Sequence, residues 1–139
     1  MTGTQRILYE VRVKIASDTH IVTARQTGRL LAEESGFRSS EATLIAGVVS
    51  ELARNILRFA AKGEIILRLI ENEVKQGIEV VAADEGPGIQ DVSLAMQEGY
   101  STSGGLGLGL AAVRRVMDEV EIVSRVGTGT TVTSRKWRR

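Results

Sequence analysis

Between Arg6 and Ile15 the apolar residues Ile7, Tyr9, Val11, Val13 and Ile15 alternate with Arg6, Glu10, Arg12 and Lys14. A period of two predicts a strand with one buried face. Past Ser17 and Asp18, either of which can cap a helix, the period lengthens. Ile21, Val22, Leu30 and Leu31 recur at helical spacing until Gly36 stops the run. A second helix is predicted after Ser39 or Ser40. It carries Leu44, Ile45, Val48, Val49, Leu52, Ile56 and Phe59 on a broad apolar face and ends near Lys62 and Gly63.

The pattern then returns to strands. Glu64 to Glu71 and Gly77 to Ala83 are joined by a short polar stretch, Asn72 to Gly77, that suits an antiparallel hairpin. A glycine-punctuated segment and a helix from about Leu106 to Asp118 come next. Two closing strands, Val120 to Val126 and Thr130 to Trp137, flank a turn at Gly127 to Gly129. Early helices, followed by hairpin-paired strands around one crossover helix, predict a two-layer α/β sandwich rather than a doubly wound parallel sheet.

Composition narrows the function classes. The 139 residues, 42% of them hydrophobic, suit one core, so a single domain over residues 1–139 is expected. Eighteen Lys and Arg against 17 Asp and Glu leave no global field that would demand nucleic acid or an anionic membrane. The absence of cysteine excludes disulfides, thiolate metal sites and a cysteine nucleophile, and the single His20 cannot build a multi-histidine metal site. No signal-peptide-like or membrane-spanning apolar run occurs, so a cytoplasmic location is expected. The basic end, Arg135 to Arg139, reads as a solvated strand end.

Four features can carry chemistry. Glu51 and Asn55 lie four apart on the second predicted helix, where side chains share a face roughly 5 to 6 Å apart. An amide oxygen is a hard ligand suited to Mg²⁺, and a nearby carboxylate can take a proton from an attacking hydroxyl. Such a pair is equally the wet side of an amphipathic helix.

Asp84-Glu85-Gly86-Pro87-Gly88 follows a strand directly. Asp84 would therefore emerge at a strand end, where a carboxylate can accept from an adenine amino group, and Gly86 and Gly88 let backbone approach a ligand. An ordinary turn has the same composition. In Gly104-Gly105-Leu106-Gly107-Leu108-Gly109, glycine-exposed N–H groups and a helix N-terminus converge, which is the physics of a phosphate site. The run lacks the Lys of a P-loop and the preceding strand of a dinucleotide fingerprint. Gly127-Thr128-Gly129-Thr130-Thr131 is a hairpin turn on its own, and Thr130 gains meaning only in company.

Together these four features, in this order, resemble the N, G1, G2 and final Thr boxes of the GHKL superfamily. The resemblance covers nearly the whole chain from Arg6. It implies the Bergerat fold, a mixed, largely antiparallel sheet covered on one face by helices, with ATP and Mg²⁺ as cofactors. Within the superfamily, Tyr100 to Leu110, Val113 to Glu119, Ala24-Arg25-Gln26 and Glu51 to Ile56 are similar to the stand-alone serine/threonine kinases of the RsbT type, which belong to the stressosome. Ala111 departs from that pattern, where proline is expected, which bears on the stiffness of the lid.

The resemblance implies a protein kinase in which Glu51 is the general base and Asn55 the Mg²⁺ ligand. It implies that Asp84 reads adenine and that Thr130 supports adenine recognition. Gly86, Gly88, Gly104, Gly105, Leu106, Gly107, Leu108 and Gly109 shape the nucleotide site. The partners it implies are STAS-domain scaffold proteins of the RsbS and RsbR kind and an RsbU-like PP2C-type phosphatase. An RsbW-like anti-sigma factor and an ATP-loaded adaptor without useful catalysis are the alternatives. His20 precedes or lies within the first helix and reads as a surface or capping residue rather than a phosphoacceptor.

Overall fold

The computed structural model describes residues 4–88 and 109–138. Among these residues five strands form one sheet: β1 (Arg6–Ile15), β2 (Gly63–Glu71), β3 (Gln76–Asp84), β4 (Glu119–Arg125) and β5 (Gly129–Trp137). Their order is β1-β2-β3-β5-β4, and every neighbouring pair is antiparallel. Three helices are described, α1 (Asp18–Glu34), α2 (Ser39–Ala60) and α3 (Leu110–Val116). The expected two-layer sandwich is present, and the described part of its sheet is antiparallel throughout.

The helix termini follow local chemistry. Ser17 occupies the N-cap of α1 with extended backbone but makes no side-chain cap bond. Instead His20 Nδ1 accepts the Ala16 N–H at 2.9 Å, the capping role read from sequence. At the other end Gly36 adopts φ +100, and Phe37 N–H returns to Ala32 O at 3.0 Å, which turns the buried Phe37 into the core. For α2 the Glu41 carboxylate reaches back to the Arg38 N–H at 3.2 Å. The helix stops at Ala60 because Ala61 takes φ +69.

The core lies between α2 and the inner sheet face. Ile45, Val49, Leu52 and Ile56 of α2 pack over Ile65, Leu67, Ile78 and Val80, all fully buried. The inner stripe of α1 is smaller than its sequence pattern indicates. Ala24, Gly28, Leu31 and Ala32 face inward, whereas Val22 and Leu30 are exposed. A Cβ on Gly28 would sit 2.9 Å from Val49 Cγ2, so this glycine lets α1 close against α2. Leu44, read as part of the apolar face of α2, is also exposed.

A register shift between Ile7 and Tyr9 breaks the alternation of β1, and both residues are about half exposed. The outer face carries a row of alternating charge across all five strands. Glu10, Arg68, Glu79, Arg135 and Glu119 stand in register as direct neighbours. Arg68 donates to Glu10 at 2.7 Å and to Glu79 at 2.9 Å. Arg135 donates to Glu79 at 2.7 Å and to Glu119 at 3.1 Å. Glu79 is only 2% exposed, and Ile66, Ile70 and Val81 on the same face are buried as well. The centre of the outer face is therefore buried, with the charge row spanning it.

Candidate functional site

The site is built where α2, the end of β3, the β4–β5 turn and the start of α3 meet. Glu51 and Asn55 occupy successive turns of α2, as the four-residue spacing predicted. Both are partly buried, and the Asn55 Oδ1 atom is fully so. Arg54 Nη1 donates to Glu51 Oε1 at 3.2 Å, and Arg54 Nη2 donates to Ser50 Oγ at 3.2 Å. A buried amide oxygen with a carboxylate four residues earlier fits a Mg²⁺ ion that keeps most of its waters and phosphate ligands. Among the described residues no group of three or more His, Cys, Asp or Glu could hold a metal alone.

Asp84 ends β3, at the position expected from the strand pattern. Its Oδ1 accepts the Gly86 N–H at 2.8 Å and the Thr130 N–H at 3.3 Å; Oδ2 takes part in neither bond. Two backbone donors therefore fix the carboxylate, one from the loop that follows β3 and one from β5, where Thr130 is the register partner of Asp84. Thr130 Oγ1 also shares a 2.8 Å hydrogen bond with Ser124 Oγ on β4. Sequence reading missed Ser124, whose only signal is its place opposite Thr130 in the last hairpin.

Glycine is required at three points around Asp84 because the loop is compressed on both sides. A Cβ on Gly86 would lie 2.6 Å from Ala60 Cβ, at the end of α2. Gly88 has φ +81, and its Cβ would fall 2.3 Å from Arg125 O. Gly129 has φ +142, and its Cβ would fall 2.2 Å from Asp84 O. Gly127 N–H donates to Pro87 O at 2.8 Å and closes the contact between the two turns. The Asp84–Gly88 loop is thus clamped between α2 and the β4–β5 turn, which holds Asp84 rigidly.

Gly109, at φ +67, is the N-cap of α3. Its Cβ would lie 2.6 Å from the Glu51 carboxylate carbon, so the end of the glycine run and the α2 carboxylate are in contact. Gly104, Gly105, Leu106, Gly107 and Leu108 lie outside the described residues. Leu110 and Val113 bury α3 in the core, and Ala111, the departure from pattern, sits partly buried in its first turn. Lys136 Nζ donates to Val116 O at 2.9 Å and caps the C-terminal end of α3.

The basic C-terminus is engaged in the fold. Arg135 joins the charge row, Lys136 caps α3, and Trp137 Nε1 donates to Glu119 Oε2 at 2.7 Å. Arg138 packs over Gly36, and its backbone N–H reaches Gln76 O at 2.8 Å. No described helix is long and apolar enough to cross a membrane.

Residues 40–138 match the model of the histidine kinase-, DNA gyrase B-, and HSP90-like ATPases. The chain is 45% identical over 127 residues to the serine/threonine-protein kinase RsbT of Bacillus subtilis, covering 91% of this chain and 96% of that one. It is 38% identical over 101 residues to the anti-sigma F factor of Halalkalibacterium halodurans, with 69% of each chain covered. Among solved structures, the SiaB-SiaC complex of Pseudomonas aeruginosa superposes with a TM-score of 0.58 at 16% identity, over 96% of this chain and 91% of that chain. A blue-light activated histidine kinase domain of Erythrobacter litoralis gives 0.52 at 20% identity, over 85% of this chain and 59% of that chain. These two share the fold. With its ordered boxes and a clamped strand-end aspartate, the chain belongs to the histidine kinase-, DNA gyrase B-, and HSP90-like ATPase family, and within it is an RsbT-like serine/threonine kinase.

Proposed function

We propose that this chain transfers the γ-phosphoryl group of ATP to a serine or threonine hydroxyl on a STAS-domain scaffold protein of the RsbS or RsbR kind. The observation that carries this reading is the contact between Glu51 and Gly109. It sets a carboxylate against the glycine that ends the phosphate-binding run. Phosphoryl transfer needs mainly positioning and charge neutralisation, so a small site of this kind suffices.

Each residue then has a role. Asp84 Oδ2 accepts from the adenine amino group while Oδ1 stays tied to Gly86 and Thr130. Thr130, braced by Ser124, supports adenine recognition through its hydroxyl. Asn55 Oδ1 is the protein ligand of Mg²⁺, which supplies neutralisation of phosphate charge when bound. Glu51 is the general base: it orients the acceptor hydroxyl and receives its proton. Gly104 to Gly109 and the first turn of α3 supply N–H groups to the phosphates.

The RsbT relative and the SiaB-SiaC neighbour support a setting of partner switching between proteins. Phosphorylating the scaffold lowers its affinity for the kinase, which then engages an RsbU-like PP2C-type phosphatase. The anti-sigma relative supports a second reading, in which the chain sequesters a sigma factor.

Pulldown on an immobilised STAS-domain scaffold from the same organism, before and after Mg-ATP, tests the switch. Release after ATP, with phosphoserine or phosphothreonine on the scaffold, is expected. Unchanged retention contradicts the switch, and co-purification with a sigma factor supports the second reading.

A further inference from the structure

Glu51 meets different neighbours on its two sides. The Gly109 backbone abuts Oε2, and the Arg54 guanidinium holds Oε1 at 3.2 Å. Arg54 is itself braced, because its second terminal nitrogen donates to Ser50 Oγ at 3.2 Å and Ser50 is buried. The guanidinium therefore spans a fixed hydroxyl and the carboxylate. Its side chain remains 52% exposed, against 29% for Glu51, so a macromolecule can reach it from solvent.

The surroundings favour an acidic visitor. Arg54 and Arg58 are exposed one turn apart on α2, and Glu51 is the only acid of that helix beyond Glu41. The same side of α2 is open one turn earlier, where a Cβ on Gly47 would meet nothing within 4 Å. On this stretch of α2 the side chain bonded to Oε1 is Arg54, and Arg58 adds positive charge one turn further on. An exposed pair of this kind adds little to stability, so its effect falls on the availability of the carboxylate.

We propose that Arg54 is a positioning residue that holds Glu51 Oε1 until a carboxylate of the acceptor protein, close to the acceptor hydroxyl, draws the guanidinium away. The inference rests on the kinase reading above. In the resulting complex the acceptor oxygen bonds to the γ-phosphorus. The bond from that phosphorus to the β–γ bridging oxygen breaks, and its electron pair leaves with ADP. The hydroxyl proton passes to Glu51 Oε1. Without an acceptor, water is the nucleophile, and the Arg54 pair keeps Oε1 from it, so ATP is spared.

The test compares the wild-type chain with Arg54→Gln and Arg54→Lys in two assays: ATP hydrolysis without acceptor, and transfer to a STAS-domain protein from the same organism at low and high salt. Arg54→Gln is expected to raise acceptor-free hydrolysis about threefold or more and to raise the KM for the acceptor about tenfold, with a flatter salt dependence. Arg54→Lys restores part of both, and Mg-ATP affinity stays at the wild-type value. Hydrolysis unchanged in Arg54→Gln overturns the inference, as does an equal fall in kcat of both reactions that Lys does not rescue. A wild-type chain that transfers nothing defeats the kinase reading instead, while the hydrolysis assay still reads the hold of Arg54 on Glu51 without any acceptor.

Discussion

Gly109 and Glu51 occupy contacting positions: a Cβ on Gly109 would fall 2.6 Å from both the carboxylate carbon and Oε2 of Glu51. The residue that opens α3 therefore sets where the carboxylate on α2 can stand. Glycine is needed there twice over, for that contact and for φ +67.

Gly109→Ala is accordingly expected to displace the carboxylate and to strain the backbone. Phosphotransfer should fall by about 100-fold, since a shift near 1 Å in a reacting group has that cost. Stability should drop by only about 1–2 kcal/mol. Transfer assays and thermal unfolding of the purified variant check the two numbers together.

Asp84→Asn keeps an oxygen able to accept from Gly86 and Thr130 but replaces the other acceptor with a donor. The fold is expected to survive, and ATP affinity to weaken by about 1–3 kcal/mol through a mismatched polar contact with adenine. Calorimetric titration with ATP reads the loss. Wild-type affinity in the variant would remove Asp84 from adenine recognition.

Much of this was legible in the chain. All five described strands and the three described helices were expected, and the boundaries of β1 match. Period-two alternation bounded by turn residues is a strong signal, and the strands are long enough to express it. The faces were less legible. Leu30 and Leu44 look like core residues but are exposed, and Gly28 lets α1 approach Val49 of α2 to a distance that a larger side chain would prevent. Local spacing carries no information about that distance.

The site divides in the same way. Glu51 with Asn55 and Asp84 with Gly86 are local patterns, and their placement followed from helix and strand period. The Glu51–Gly109 contact and the Asp84–Thr130 bond join residues far apart in sequence, so only the folded chain brings them together. The basic C-terminus read as solvated because its acidic partners, Glu79 and Glu119, are set by sheet register.

The charge row gives a pH prediction. Burial pushes the Glu79 carboxyl up, but the hydrogen bonds from Arg68 and Arg135 outweigh it and hold the group below its usual range. A depressed folded pKa contributes stability that is present above the unfolded value, near pH ~4.3, and lost as pH falls through the folded value. Unfolding curves should therefore show acid destabilisation below about pH 4 that is diminished in Glu79→Gln. At neutral pH this variant should lose about 1–3 kcal/mol, because Arg68 and Arg135 lose a shared charged acceptor while keeping Glu10 and Glu119.

The most direct test of the central claim is a single-turnover transfer assay with γ-labelled ATP, Mg²⁺ and a STAS-domain acceptor, run beside ATP-binding calorimetry on wild type and Glu51→Ala. The account predicts label on an acceptor serine or threonine with wild type, and ATP bound normally but not transferred by Glu51→Ala. Transfer at the wild-type rate by Glu51→Ala would contradict it.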